Sequence, residues 1–442
     1  MSEIKYSQLN EEHRIDAEYF GKDILYKLKQ LSNLGTIRIG DIADVTDGIH
    51  TSIDYDENSR VNLISATSPK ENVFDLSRGA FISEKANKLN PRTALRKNDV
   101  IISTVGTIGN CAVVDDSILP ANSDRHVGII RIQNDYSPYV LSTFLLSKYG
   151  RTQTLREATG NVQLNLFIYK LKELAIPQFS SSFQFSIEQI VKSAHAKLAE
   201  SKSLYAEAEE ILLSELGLKD WQPKNENVSV KRLSDFASSG RLDAEYYQPK
   251  FDEIEEKIRK SSHKEISEVV TLKDSYFSPL PKKLYKYIEL ANIGASGEIT
   301  GFTEDYGENL PTRARRIVHT GDLLISSIEG SLQSCAIVTG DYDDVLCSTG
   351  FYVVTPKLMN AETLLVLLKS DCMQSLLKKG CSGTILTAIA KDEFLKIPLP
   401  LLPESIQSLI AEKIQKSFDL RKQSKQLLEQ AKRMVEEEIE KQ

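Results

Sequence analysis

The chain has 442 residues, of which 26% are charged and 41% hydrophobic, and it carries a formal net charge of -7. This composition is typical of a globular protein of about three domains. The acidic balance excludes a protein that coats nucleic acid by bulk charge, although it is compatible with a local basic groove. No apolar run approaches the roughly 18 residues of a membrane span, and the charged first residues are unlike a signal peptide. Five cysteines without CxxC spacing predict a reducing, cytoplasmic location.

The sequence repeats itself, and the repeat organises the whole chain. Residues 14–20, Arg-Ile-Asp-Ala-Glu-Tyr-Phe, return as residues 241–247, Arg-Leu-Asp-Ala-Glu-Tyr-Tyr. Each copy is followed by a short helical segment and then by an expected strand, at residues 39–42 and 266–269. The Arg and Asp of each heptapeptide are expected to hold the scaffold together more often than to contact a ligand.

Alternating apolar and polar residues then predict short, half-buried strands in the same order in both halves. The matching segments are 61–66 with 286–291, 97–103 with 320–326, 127–131 with 351–355, and 174–177 with 397–400. Glycine-bearing loops at 104–110 and 327–334 connect them, and one helix is expected at 138–149 and another at 361–377.

Each half closes with a long helix, at residues 186–217 and 405–440. Apolar residues recur there at heptad spacing, and the second row of the seam consists largely of alanine and serine, which suits two helices that lie close together. The two helices are therefore expected to pair with each other. The larger seam residues are Val191, Leu198, Tyr205, Leu212, Ile414, Leu428 and Val435.

The predicted fold class is α+β, with two domains of mixed β-sheet and helices. A pseudo-twofold internal repeat relates these domains, and two long antiparallel coiled-coil helices separate them. The predicted segments are a helical segment (1–34), the first strand domain (35–182), a central spacer helix (183–217), a linker with a helical segment (218–262), the second strand domain (263–403) and a C-terminal spacer helix (404–442).

The motifs of common enzymes are missing. The sequence contains no GxGxxG after a strand, no GxxxxGK[ST] phosphate loop, no GxSxG elbow and no Asn/Asp-Pro-Pro-aromatic segment of an adenine methyltransferase. The six histidines are scattered without metal-ligand spacing, so no metal site is predicted. An enzyme is therefore not expected.

Basic residues and polar loops are the candidates for DNA binding, because Lys and Arg neutralise phosphates while polar side chains read base edges. A solvated face explains any single basic cluster equally well, and turn chemistry alone explains about half of the loop residues. The basic candidates are Lys85, Lys88, Arg92, Arg96, Lys97, Lys282, Lys283, Lys286, Arg313, Arg315 and Arg316. The loop candidates are Thr104, Thr107, Asn110, Arg125, His126, Gln163, Ser327, Ser331, Gln333 and Thr384.

The whole chain resembles the specificity (S) subunit of type I restriction-modification enzymes. The resemblance rests on residues 241–247, on Gly-Asp-Leu-Leu-Ile-Ser at 321–326 with its weaker copy at 98–103, and on Ile-Pro-Leu-Pro at 397–400. It implies two target-recognition domains, at 35–182 and 263–403, each reading one half of a bipartite DNA site for phage defence.

The resemblance also implies partners. They are double-stranded DNA and two DNA methyltransferase (modification) subunits, with the presence of restriction or translocase subunits left open. The subunit itself is expected to be non-catalytic and to bind no cofactor, since S-adenosylmethionine, Mg and ATP belong to the partner subunits. The alternative is a scaffold whose tandem strand domains bind proteins and not DNA.

The length of the two long helices independently supports the interpretation of the chain as a DNA-binding protein. About 32 helical residues at about 1.5 Å each form a rod of roughly 48 Å. Such a rod suits two readers about one turn of B-DNA, roughly 34–36 Å, apart.

Overall fold

The computed structural model describes residues 16–77, 79–160, 162–224, 226, 228–383 and 387–441. These residues divide into two units. The first unit runs to Leu198 and resumes at Lys422, and the second unit spans Ala199–Arg421. Both units combine helices with β-sheets, which confirms the predicted α+β class.

The first unit is built around two sheets and a short strand pair. Its strands are β1 (Thr36–Arg38), β2 (Ala43–Asp47), β3 (Val61–Ile64), β4 (Ala80–Ile82), β5 (Val100–Ser103), β6 (Cys111–Val113), β7 (Ala121–Ser123), β8 (Val127–Ile132) and β9 (Ala175–Pro177). Its helices are α1 (Lys22–Ser32), α2 (Ile39–Ile42), α3 (Glu84–Leu89), α4 (Pro138–Leu146), α5 (Lys148–Glu157), α6 (Ile168–Glu173) and the start of α7 (Ser181–Glu215). The sheet orders are β2-β8-β5-β6, β4-β3-β7 and β1-β9.

The second unit holds the end of α7 and the elements that follow it. Its helices are α8 (Leu233–Ser239), α9 (Pro249–Arg259), α10 (Ile266–Val269), α11 (Ala361–Lys369), α12 (Asp371–Lys379), α13 (Lys391–Leu395) and the first half of α14 (Glu404–Glu440), whose second half belongs to the first unit. Its strands are β10 (His263–Glu265), β11 (Val270–Lys273), β12 (Leu284–Ile288), β13 (Thr303–Tyr306), β14 (Ala314–Val318), β15 (Leu323–Ser326), β16 (Cys335–Ile337), β17 (Val345–Ser348), β18 (Phe351–Pro356), β19 (Cys381–Ser382), β20 (Ala388–Ile389) and β21 (Pro398–Pro400).

The two units repeat one topology. The order β11-β18-β15-β16 of the second unit corresponds to β2-β8-β5-β6 of the first, and β10-β21 corresponds to β1-β9. The other sheet keeps its parallel pair in both copies, β3 with β7 and β12 with β17. The second unit departs by adding strand β14 at the edge of that sheet, in the part of the repeat where the first unit has helix α3.

The long helices pair in antiparallel fashion within each unit, as predicted. In the first unit, the hydroxyl of Ser424 on α14 donates to the carbonyl of Ala194 on α7 at 2.7 Å, and the core joins Ile187 of α7 to residues near the end of α14. In the second unit, the hydroxyls of Ser201 and Ser417 lie 2.9 Å apart. The small seam residues therefore allow the close approach that the sequence indicated.

The larger seam residues line these contacts. Val191 and Val435 are buried in the core of the first unit, and Leu212 and Ile414 are buried in that of the second. The remaining seam residues are partly buried: Leu198, Tyr205 and Leu428.

The strand expected at residues 39–42 and again at 266–269 is wrong, because both segments form one-turn helices, α2 and α10. Ile39 and Ile42 are both buried, and their separation by three residues is helical spacing rather than strand alternation. The carboxylate of Asp41 accepts a hydrogen bond from the backbone N–H of Arg38 at 3.2 Å and so caps the first turn.

The single helices expected at residues 138–149 and 361–377 are each divided by a serine. Ser147 separates α4 from α5, and Ser370 separates α11 from α12. Both serine hydroxyls donate to a carbonyl of the preceding helix, Ser147 to Phe144 at 2.6 Å and Ser370 to Leu367 at 2.7 Å. Serine competes with the helix backbone for hydrogen bonds, so it ends one helix and starts the next.

The heptapeptides dock on the scaffold. In the second copy, the Arg241 guanidinium pairs with Asp243 at 2.8 Å and donates to the carbonyl of Lys379 at the end of α12. In the first copy, Arg156 at the end of α5 stacks 3.6 Å from the ring centroid of Tyr19. Each heptapeptide therefore attaches the chain to the corresponding helix of its own unit, α5 in the first and α12 in the second. Arg14 lies outside the described residues.

Candidate nucleic-acid interface

Three loop segments of the first unit meet at one end of its sheets. They are the β5–β6 loop, the β7–β8 turn and a hairpin between α5 and α6, hereafter the first loop junction. Its described residues are 104–110, 124–126, 159–160 and 162–166.

Backbone hydrogen bonds fix the first loop junction. The N–H of Thr104 donates to the carbonyl of His126 at 3.0 Å, and the N–H of Leu166 donates to the carbonyl of Thr104 at 2.9 Å. A β-bridge between Val105 and Asn165 adds to these bonds. Because main-chain bonds carry the frame, the side chains at the surface are left to vary.

The second unit builds the same arrangement, the second loop junction, from residues 327–334, 349–350, 382–383 and 387–389. The N–H of Ser327 donates to the carbonyl of Gly350 at 2.9 Å, and the N–H of Ile389 donates to the carbonyl of Ser327 at 2.8 Å. A bridge between Ile328 and Ala388 completes it. These bonds match those of the first junction one for one, while the side chains differ.

Three candidates of the first loop junction are exposed: Thr107, Arg125 and Gln163. His126 is half-buried and lies beside Asp124, with its Nδ1 3.3 Å from the carboxylate. The side chain of Asn110 is engaged within the unit, because it accepts a hydrogen bond from Arg151 at 3.0 Å.

In the second loop junction, Gln333 is exposed and its side-chain amide donates to the carbonyl of Lys369 at 3.4 Å. The hydroxyls of Ser327 and Ser331 are used within the unit. Ser327 donates to Gly350 at 2.9 Å, and the Ser331 hydroxyl lies 2.9 Å from that of Ser326. Thr384 lies outside the described residues.

Arginines border both junctions. Arg92 donates to Thr46 and to the carbonyls of Asp47 and Gly48, at the end of β2. A side chain on Gly48 would stand 2.0 Å from the carbonyl of Asp124, so this corner touches the β7–β8 turn. Arg313 is exposed beside the second junction, where its carbonyl accepts from the N–H of Thr349 at 2.9 Å.

The other basic candidates of the first unit are exposed on and after α3. Lys85 lines an open cleft of about 380 Å³. Lys88 lies 3.9 Å from Glu84, and Arg96 is exposed. Lys97 pairs with Asp116 at 2.5 Å, and this hydrogen bond raises the pKa of Lys97, so its ammonium stays charged at neutral pH.

In the second unit the lysine candidates lie on strand β12 and immediately before it. Lys282 is exposed, and the ammonium of Lys283 lies 5.1 Å from the ring centroid of Tyr285. The ammonium of Lys286 on β12 lies 4.6 Å from the ring centroid of Phe302. The ring contacts of Lys283 and Lys286 are with residues outside the second loop junction.

Two candidates are corrected because their side chains are buried. Arg316 is only 6% exposed and uses its guanidinium internally, donating to the carbonyl of Phe351 and pairing with Asp274 at 3.3 Å. Strand β14 alternates its faces, so Arg316 points inward while Arg315 stays half-exposed and donates to the carbonyl of Thr312 at 3.0 Å. Thr104 is 5% exposed and serves through its backbone.

Sequence reasoning missed the contacts that hold each sheet domain against the helix pair of its own unit. In the first unit, His195 Nε2 on α7 lies 2.7 Å from the carbonyl of Asn72 in the β3–β4 loop. In the second, Arg421 on α14 donates to Glu298 at 3.0 Å and to the hydroxyl of Ser296 at 2.6 Å. These residues belong to no sequence motif, so nothing in the sequence predicts their contacts.

Over the described part of the chain, no cluster of three or more His, Cys, Asp or Glu side chains is placed to hold a metal ion. The same residues include no helix with the length and apolar character needed to cross a membrane.

A family comparison matches residues 259–432 to the type I restriction modification DNA specificity domain. Among solved structures, the type I restriction-modification S subunit from M. genitalium is 14% identical with a TM-score of 0.42 and covers 92% of this chain and 96% of its own. The HsdS subunit from Thermoanaerobacter tengcongensis is also 14% identical, with a TM-score of 0.29 over 92% of this chain and 96% of its own. A search of curated protein sequences returned no match.

The structure defines the class of fold: a duplicated α+β arrangement with the same loop junction in each half. The matched segment runs through the second repeat, and the first repeat has the same sheet order and the same junction bonds. Residues 259–432 are therefore similar to the DNA specificity domain of type I restriction modification systems, and this is the family that the chain resembles. Subunits of this family specify the DNA target and are non-catalytic.

Proposed function

We propose that each loop junction reads one half of a bipartite double-stranded DNA sequence and that the subunit positions two DNA methyltransferase subunits on it. One observation carries the proposal: the same backbone junction is built twice from different side chains. A common frame with different side chains is what the recognition of two different half-sites requires.

The charges around each junction support this division of work. Arg92 and Arg125 in the first unit and Arg313 in the second provide cations for phosphate contacts, which position the protein without reading sequence. Exposed polar side chains such as Gln163 and Gln333 then face the base edges in the major groove.

In this proposal the partner subunits carry out catalysis. The two modification subunits bring S-adenosylmethionine, and restriction or translocase subunits, where they join, bring ATP and Mg. The specificity subunit holds no cofactor of its own. The complex works in the cytoplasm, a location supported by the five free cysteines, because disulfides are rare in reducing compartments.

Domain exchange in the assembled complex tests the assignment. Residues 35–182 are replaced by the equivalent domain of a relative with a different target, and methylated sites are mapped across a genome. One half of the recognised sequence should change while the other half is kept. If both halves stay the same, the first domain does not read DNA.

The protein-binding scaffold is the less favoured alternative, since the family match is to a DNA specificity domain. A salt titration of the assembled complex on its target distinguishes the two. Phosphate contacts predict a steep loss of DNA affinity with rising salt, whereas a scaffold that binds proteins only predicts no specific DNA binding at any salt.

Helix length then sets the spacer between the half-sites. Inserting one heptad into each long helix at matched positions adds about 10 Å, so the preferred spacer should grow by about three base pairs at about 3.4 Å each. An unchanged spacer would contradict a role of the helix pair in spacing.

A further inference from the structure

The hairpin of the first loop junction has an unusual tip. Val162 is 103% exposed, Leu164 is 46% exposed, and the exposed Gln163 stands between them. Aliphatic side chains at a fully exposed tip lose contact with water only when a ligand covers them.

Hydrogen bonds hold the base of the hairpin together. Thr159 and Asn165 exchange two backbone hydrogen bonds at 2.9 and 2.8 Å, and the Asn165 amide donates to the carbonyl of Gln163 at 3.0 Å. Gly160 adopts a φ of +142°, and a side chain there would stand 2.1 Å from the carbonyl of Gln163. The backbone is therefore shaped to project these three residues.

Neighbouring groups indicate what the tip meets. The base of the hairpin is bonded to Thr104 through Leu166, and the N–H of Thr104 is bonded to His126, the residue that follows the exposed Arg125. Aliphatic groups beside an amide and a guanidinium match the major-groove edges of DNA, where thymine presents a methyl group and adenine presents an acceptor next to a donor.

The second unit has a glycine of similar conformation at the corresponding position. Gly383 adopts a φ of +133°, and the N–H of Glu329 in the second loop junction donates to the carbonyl of Thr387 at 3.0 Å. The sequence after Gly383 again contains aliphatic residues, Ile385 and Leu386, which lie outside the described residues.

We infer that the Val162-Gln163-Leu164 tip reads A·T base pairs in the major groove of the half-site bound by the first unit. The amide of Gln163 pairs with the N6 and N7 edge of adenine, while Val162 and Leu164 cover the C5-methyl of thymine. This inference rests on the proposed function and assigns the chemistry of one of its two readers.

The test uses the assembled complex and its mapped target. Each thymine of the target is replaced in turn by deoxyuridine, which lacks only the C5-methyl, and each adenine by 7-deazaadenine, which lacks the N7 acceptor. In the native complex, deoxyuridine at one position of one half-site should weaken binding about fourfold, the value of one buried methyl. 7-Deazaadenine in the same half-site should weaken it at least about fivefold.

The variants then assign these losses to residues. The double variant Val162→Ala, Leu164→Ala should no longer respond to deoxyuridine, and Gln163→Ala should no longer respond to 7-deazaadenine. Leu155→Ala is the matched control, because Leu155 is an aliphatic residue of the same unit that is 53% exposed and belongs to helix α5 and not to the hairpin. The control should keep both responses.

Three outcomes would overturn the inference: variants that keep the native responses, a loss of affinity that is uniform across all sequences, or a loss of methyltransferase assembly with unchanged base preference. The last outcome would make the tip a protein contact. If the native complex shows no half-site preference at all, the proposed function fails, and that result is distinct from a failure of the tip alone.

Discussion

The most direct prediction about stability concerns Ile414 in the pair of long helices. This side chain is 0% exposed in the core of the second unit. Ile414→Ala removes most of it and leaves a cavity, at a cost of about 3 kcal/mol. For a unit of this size each kcal/mol lowers the melting temperature by about 2–4 °C, so a fall of about 6–12 °C is expected.

Leu409→Ala on the same helix is the control, because Leu409 is 41% exposed and its truncation should change stability by only about 0.5 kcal/mol. Urea denaturation followed by far-UV circular dichroism, together with calorimetry, measures both variants. Equal losses for the two substitutions would refute the paired seam, because burial against α7 is what separates Ile414 from Leu409.

Three further predictions concern the scaffold. Ser417→Ala should lower the free energy of unfolding by about 1 kcal/mol, because it removes the hydrogen bond to Ser201. Ser417→Leu should lower it more, because the larger side chain forces the two helices apart. Thermal melts in which Ser417→Leu is the more stable variant would contradict the close packing of the helices. Gly321→Ala should cost about 1 kcal/mol from its φ of +88° alone and Gly321→Asn less, so equal urea midpoints would oppose this reasoning. Burial would raise the pKa of Asp75, but hydrogen bonds led by that from Lys70 lower it to about 2. A carboxylate whose pKa is lower in the folded protein stabilises the fold at pH values above its unfolded pKa of about 3.9. Asp75→Asn should therefore lower the free energy of unfolding by about 1 kcal/mol at neutral pH, and this difference from the native protein should disappear as the pH falls towards 2. A difference that persists in acid would contradict this prediction.

The order of elements and the antiparallel helices could be predicted because the repeat supplied every pattern twice. The turn before β5 shows that the repeat preserves the backbone conformation even where the residue type changes. Asn98 replaces the glycine at position 321 of the other half, and the two residues adopt φ values of 71° and 88°. Asparagine tolerates this left-handed conformation better than most residues, so the turn survives the substitution.

Errors arose where one residue decides the local structure. Residues 39–42 read as a strand by composition, yet Asp41 caps a helical turn there. Arg315 and Arg316 counted equally as charges, although neighbours on a strand face opposite sides and Arg316 is buried. Charge density in a sequence therefore predicted the basic regions of the surface but not the individual side chains available to DNA.

The loop junctions could not be predicted, because three segments distant in sequence meet there through main-chain bonds. Thr104 illustrates the point: its side chain was a candidate contact, whereas its N–H and carbonyl form the frame. Such a role is independent of side-chain type, so composition and spacing carry no signal for it.

Selection of bound duplexes from randomised DNA by the assembled complex tests the central claim most directly. Two dissimilar readers predict two separated blocks of preferred bases with an unspecified spacer of fixed length between them. A single uninterrupted block, or bound sequences without any base preference, would contradict the account.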